Sequence, residues 1–81
     1  MPKYYVTMTH ADGQDFHQVL SAADELEACV KSWLRLRLEI KGSTWIVNEK
    51  GFSRTEDDIY FWDKDVKKAL TKFQKKRGDS P

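Results

Sequence analysis

The sequence has a single cysteine, Cys29, in 81 residues. An internal disulfide is therefore excluded, so the fold must be held by packing or by a partner chain, as expected in a reducing compartment. The four glycines, Gly13, Gly42, Gly51 and Gly78, stand apart from one another. That excludes a glycine-rich phosphate loop and leaves them to turns or to a helix stop. No apolar run approaches the roughly 18 residues of a membrane span, and Met1-Pro2-Lys3 leads into no signal-peptide apolar region, so a cytoplasmic protein is expected. Charge of one sign is scarce as well. A formal net charge of +1 excludes an acidic mimic of nucleic acid. Size is the last shortage, because a domain burying only about 60% of its unfolded surface has little room to enclose a substrate beside a core. No enzyme and no cofactor are expected, and a binding module is favoured.

Aromatic surface is what the chain does have, with three Trp, three Tyr and four Phe among its 40% hydrophobic residues. This supports one modest core and argues against disorder. Lys3 to Thr9 is rich in β-branched and aromatic residues, Asp12-Gly13 follows, and Phe16 to Leu20 resumes the pattern, which predicts a hairpin of strands at 3–10 and 14–20. With Asp12-Gly13 as a two-residue turn, His10 faces Asp15, Met8 faces His17 and Val6 faces Val19, placing Tyr4, Val6, Met8 and Val19 on the core face. Ser21 reads as a helix N-cap with Asp24 at N3, and Leu26, Cys29, Val30, Trp33 and Leu34 then recur at helical spacing, predicting a helix over 22–37. Residues 34–41 alternate with period two, so the helix either continues there or gives way to a strand before Gly42. Thr44–Asn48 and 57–62 read as strands, with one long helix from Thr55 to Arg77 as the alternative for the second. Asp63 reads as the N-cap of a last helix, whose apolar stripe is Val66, Ala69, Leu70 and Phe73 and which Gly78 stops.

The expected architecture is thus a small single α+β domain over 1–78, in the order β-β-α-β-β-α, with an antiparallel sheet packed by two helices and a disordered tail at 79–81. Trp33, Leu34 and Leu70 are expected in the common core.

Residues 63–81 carry seven bases against three acids, whereas 42–62 carry four acids against two bases. On the last helix Lys64, Lys68, Lys72 and Lys75 form a ridge able to follow a phosphate backbone or to meet an acidic protein surface. Successive strand residues point to opposite faces, so Tyr60 and Trp62 cannot share a face with Phe61, and Tyr4 and Tyr5 divide likewise. Unless the second sheet face is also covered, some aromatics should therefore reach the surface, either as protein-binding hot spots or as partly exposed rings without a partner. The partner-binding candidates are Tyr5, Trp45, Tyr60 and Trp62 together with Lys64, Lys68, Lys72 and Lys75. His10, Asp15 and His17 cluster at the hairpin tip, but a fourth ligand is missing and no metal site is expected. Cys29 lies between Leu26, Val30 and Trp33 and reads as a small core residue rather than a nucleophile.

In length and hairpin-helix-strand order the chain resembles the small accessory and inhibitor proteins encoded by bacteriophages, a resemblance of architecture without a specific motif. It implies a protein that binds a host protein and blocks it. The expected function is therefore a small cytoplasmic protein-binding module whose partner is another protein, a second copy of the chain included. The rival is a nucleic-acid-binding module using the Lys-rich C-terminal helix.

Overall fold

Gly13 adopts φ +94°, and its N–H donates to the His10 carbonyl at 2.8 Å while the His10 N–H donates to Gln14 at 2.8 Å. These bonds close a three-residue loop, Ala11-Asp12-Gly13, with glycine in the left-handed region that L side chains avoid. The computed structural model describes residues 1–53 and 55–76, excepting the side chains of 74–76. On either side of the loop run β1 (Lys3–Thr9) and β2 (Asp15–Ser21), paired antiparallel with Tyr4 opposite Leu20 and Thr9 opposite Asp15.

The loop is one residue longer than the two-residue turn expected from Asp12-Gly13, and that single residue shifts the register by one. Because strand side chains alternate, every residue of β2 changes face. Leu20 is buried in the core while Val19 is exposed, the reverse of the expected arrangement.

Helix α1 spans Glu25–Leu36, and its N-cap is Asp24 rather than Ser21. The Asp24 carboxylate accepts the Glu27 N–H at 2.8 Å, and the Glu27 carboxylate accepts the Ala23 N–H at 3.2 Å. This reciprocal arrangement satisfies donors that the first helical turn leaves open. Ser21 cannot cap because the chain is still extended there, with the Ala22 N–H donating to Pro2.

The helix ends at Arg37, which takes φ 55° and donates its N–H to Trp33 at 2.6 Å. Residues 37–42 are then neither helix nor strand. They are pinned from the side, by the Trp33 indole N–H on the Leu38 carbonyl at 2.6 Å and the Ser43 hydroxyl on Glu39 at 2.7 Å. Gly42, at φ +80°, lies where a Cβ would stand 3.0 Å from the Ala11 methyl.

Strand β3 (Thr44–Asn48) lies beside β1, and β4 (Ile59–Trp62) lies beside β3, giving the antiparallel order β2-β1-β3-β4. Strand β4 is shorter than the expected 57–62. Residues 55–58 instead form a turn in which the Asp58 carboxylate accepts the Thr55 N–H at 3.2 Å and the Asn48 side-chain amide at 2.7 Å. Helix α2 (Asp63–Lys76) follows directly, with Asp63 its first residue rather than its cap. The expected stop at Gly78 and tail at 79–81 lie outside the described residues.

One face of the sheet carries the core. Tyr4, Val6 and Met8 from β1, Leu20 from β2 and Trp45 and Val47 from β3 pack against Ala28, Cys29 and Val30 of α1 and Val66 of α2. Buried Ser32 adds a hydroxyl bond to Gln18 that ties α1 to β2. Trp33, Leu34 and Leu70, expected in the common core, are half-buried and pack against it. The result is a small α+β domain with both helices on one side of a four-stranded antiparallel sheet.

Candidate functional site: the open sheet face

Pairing fixes what the other side of the sheet displays. Tyr5 lies between Val19 and Asn48, Thr7 between His17 and Ile46, and Thr9 between Asp15 and Thr44. On β4, Tyr60 stands opposite Ile46 and Trp62 opposite Thr44. Alternation therefore sets Tyr5, Val19, Ile46, Tyr60 and Trp62 on the face that the helices leave bare.

The two ends of this face differ. Near Tyr5 the segment after β3 folds back, and Phe52 meets the rings of Tyr5 and His17 edge-on, each at 5.1 Å. That segment is anchored by Asn48, only 5% exposed. Its amide donates to Thr55 at 2.8 Å and to Asp58 at 2.7 Å, and its carbonyl accepts the Lys50 N–H at 2.6 Å. A Lys50–Asp57 pair at 2.8 Å closes the segment, and the bonded Asp57 holds the lysine pKa above its ordinary value.

Across β4 the aromatics are largely open to solvent. Tyr60 is 52% and Trp62 is 60% exposed. Hydrogen bonds between β1 and β2 mark the polar flank, with Thr9 donating to Asp15 at 2.7 Å and the Thr7 hydroxyl 3.1 Å from His17 Nδ1.

The expected partner-binding residues thus separate. Tyr60 and Trp62 are together on the bare face, and Tyr5 is half-buried beneath Phe52. Trp45 is 0% exposed, on the helix side of β3, so in this fold it offers a partner no surface. Its indole N–H has no acceptor among the described residues. Lys64, Lys68 and Lys72 are exposed on α2, whereas the side chain of Lys75 lies outside the described residues. The described lysines border two different clefts. Lys64 borders a cleft at the C-terminal end of α1, while Lys68 and Lys72 border a separate one between the helices with Leu26, Ala69 and Phe73.

Val19, Ile46 and Phe52 belong to the bare face and were not singled out from sequence. A three-residue hairpin loop would have revealed Val19. Phe52 follows no periodicity that could have flagged it.

His10, Asp15 and His17 do not make a common site. His10 pairs with Asp12 at 3.1 Å, while His17 and Asp15 bond to Thr7 and Thr9. Among the described residues, no group of three His, Cys, Asp or Glu side chains is placed to hold a metal ion. Cys29 is fully buried, and burial pushes its thiol far above the ordinary range, which disfavours the reactive thiolate. No helix among the described residues is long and apolar enough to cross a membrane. Comparison with protein-family models, with curated proteins and with solved structures gives no match.

Proposed function

We propose that the chain is a protein-binding module that docks through the open face of its sheet. The observation carrying this reading is the exposure of Tyr60 and Trp62, side by side on β4 and next to Ile46, in a domain whose core is complete without them. Large aromatics held on a rigid strand lose little entropy on binding, and they supply the central anchors of protein interfaces. The polar flank formed by Asp15, Thr9, Thr7 and His17 would serve as the rim. Burial of the only thiol supports a binding role over nucleophilic catalysis and fits a cytoplasmic setting. The chain's size and element order suit the bacteriophage accessory and inhibitor proteins that it resembles in architecture, which is support from analogy alone.

The test is capture from a host lysate by three immobilised proteins: the parent, a Tyr60→Ser/Trp62→Ser variant, and a variant with Lys64, Lys68, Lys72 and Lys75 changed to Gln. A partner held by the parent and the Gln variant but lost from the aromatic variant supports docking on the sheet face. Nucleic acid held by the parent and the aromatic variant but lost from the Gln variant overturns it in favour of a nucleic-acid-binding module on α2.

A further inference from the structure

We propose that the cleft between the C-terminal end of α1, the 37–42 segment and the first turns of α2 binds a small organic phosphate of nucleotide size. The inference is independent of the sheet face, to which none of the cleft's residues belongs.

The cleft measures about 810 Å³, within the range of small-molecule sites. Its walls are of two kinds. Trp33, Leu38 and Ile40 supply apolar surface, and Arg37, Lys41, Lys64 and Lys67 supply four cations drawn from α1's cap, the loop and α2. Among the described residues, none of these cations is ion-paired. Two carboxylates, Glu39 and Asp63, also line the cleft. The Asp63 oxygens are already engaged, one by the Gly42 N–H at 2.8 Å and the other by the Lys64 N–H at 2.7 Å.

Arg37 occupies the left-handed region at φ 55°, ψ 32°, a cap position where glycine carries no steric penalty. Its side chain gives a reason for arginine there. The guanidinium lies 5.2 Å over the Trp33 ring, and its Nε donates to the Leu34 carbonyl at 3.1 Å. With Nε committed and the guanidinium carbon over the indole, the two terminal amino groups have no partner among the described residues. A fork fixed in this way is pre-organised for two phosphate oxygens. The flexible ammonium groups of Lys41, Lys64 and Lys67 add charge from the remaining sides. A phosphate group would be met by the cations while the attached organic body covers Leu38 and Ile40.

The test is calorimetric titration of the full chain with adenosine diphosphate, pyrophosphate and adenosine at low salt, with amide chemical shifts followed by NMR. The expected result is saturable one-site binding of adenosine diphosphate with a Kd below about 1 mM, weaker binding of pyrophosphate and none of adenosine. The shifted amides should be those of Lys41 to Ser43 and Lys64. Arg37→Gly, which keeps the left-handed backbone, and Lys64→Gln/Lys67→Gln should each weaken binding about tenfold or more. Lys72→Gln, outside the cleft, should not. Absence of saturable binding by adenosine diphosphate overturns the proposal. So does equal weakening by Lys72→Gln, which would mark diffuse attraction to α2.

Discussion

Asp63, the first residue of α2, accepts the Gly42 backbone N–H at 2.8 Å and so joins the start of the last helix to the segment that leaves α1. The Gly42 N–H is the main reason its carboxyl titrates below the ordinary 3.8, with the Lys64 N–H and the charges of Lys64 and Lys67 adding to it. A carboxyl whose folded pKa is depressed stabilises the fold above its unfolded value. The contribution disappears as pH falls through the folded value. Stability to urea should therefore decline as pH falls through and below the ordinary carboxylate range, and Asp63→Asn should make that decline shallower. Asp12, lowered chiefly by the Gln14 N–H, retains its own share, so the slope should shrink without vanishing. An unchanged slope in Asp63→Asn would show that this bond does not couple to folding.

Asn48 holds the 49–58 segment by three bonds at near-complete burial. Asn48→Ala strands several of those partners, and an effect of about 1–3 kcal/mol is expected. The same change should speed hydrogen exchange at the Lys50 amide and loosen Phe52 from Tyr5, read as a loss of ring-current shifts on Tyr5. Faster exchange without a change in those shifts would mean that Phe52 is held by its ring contacts alone.

At Gly13 the space is open, with nothing within 4 Å of an added Cβ, so φ +94° is the only obstacle to a side chain. Gly13→Val should cost about 1–3 kcal/mol through backbone strain. Denaturant midpoints measure it, and parity with the parent would show that the loop relaxes to another turn.

The same loop shows what the sequence could and could not disclose. Alternation in Lys3–Thr9, the β-branched and aromatic run Thr44–Asn48 and period 3.6 in both helices made the elements and their order legible, because strands favour those side chains and burial of one face imposes those periods. Register was not legible. Asp-Gly suits a two-residue turn and also the end of a three-residue loop, since both place glycine at positive φ, yet the two put Val19 and Leu20 on opposite faces. The N-cap was ambiguous for a similar reason. Ser21…Asp24 and Asp24…Glu27 both satisfy the capping pattern, and only the pairing of Ala22 with Pro2 decides between them. For the candidate site, alternation across Tyr60-Phe61-Trp62 showed that β4 must expose aromatics. It could not show which side of Trp45 the helices cover, because that depends on the packing of α1 across the sheet.

Val66 is fully buried in α2, whereas Leu70 is half-buried against the core. Val66→Ala removes two methyl-sized groups from a packed site, for which about 1.5–3 kcal/mol is expected. Lys72→Ala, on the exposed side, should stay within about 0.5 kcal/mol. Thermal melts of the two variants test the assignment, and a reversal of their order would mean that α2 packs through a different face.

The three tryptophans occupy three environments, with Trp45 buried, Trp33 half-buried and Trp62 exposed. Quenching by acrylamide should therefore act mainly on Trp62. Trp62→Phe should remove most of the quenchable emission while leaving stability within about 0.5 kcal/mol, since little of the ring is packed. The same signal reports on docking. A protein partner seated on the open face must cover Trp62, so its binding should lower the quenching constant and shift emission to shorter wavelength. Occupation of the cleft at Arg37 should leave Trp62 as accessible as before and act instead on Trp33, whose ring lies under the guanidinium. A protein partner that binds tightly without protecting Trp62 would place the interface elsewhere and defeat the sheet-face assignment.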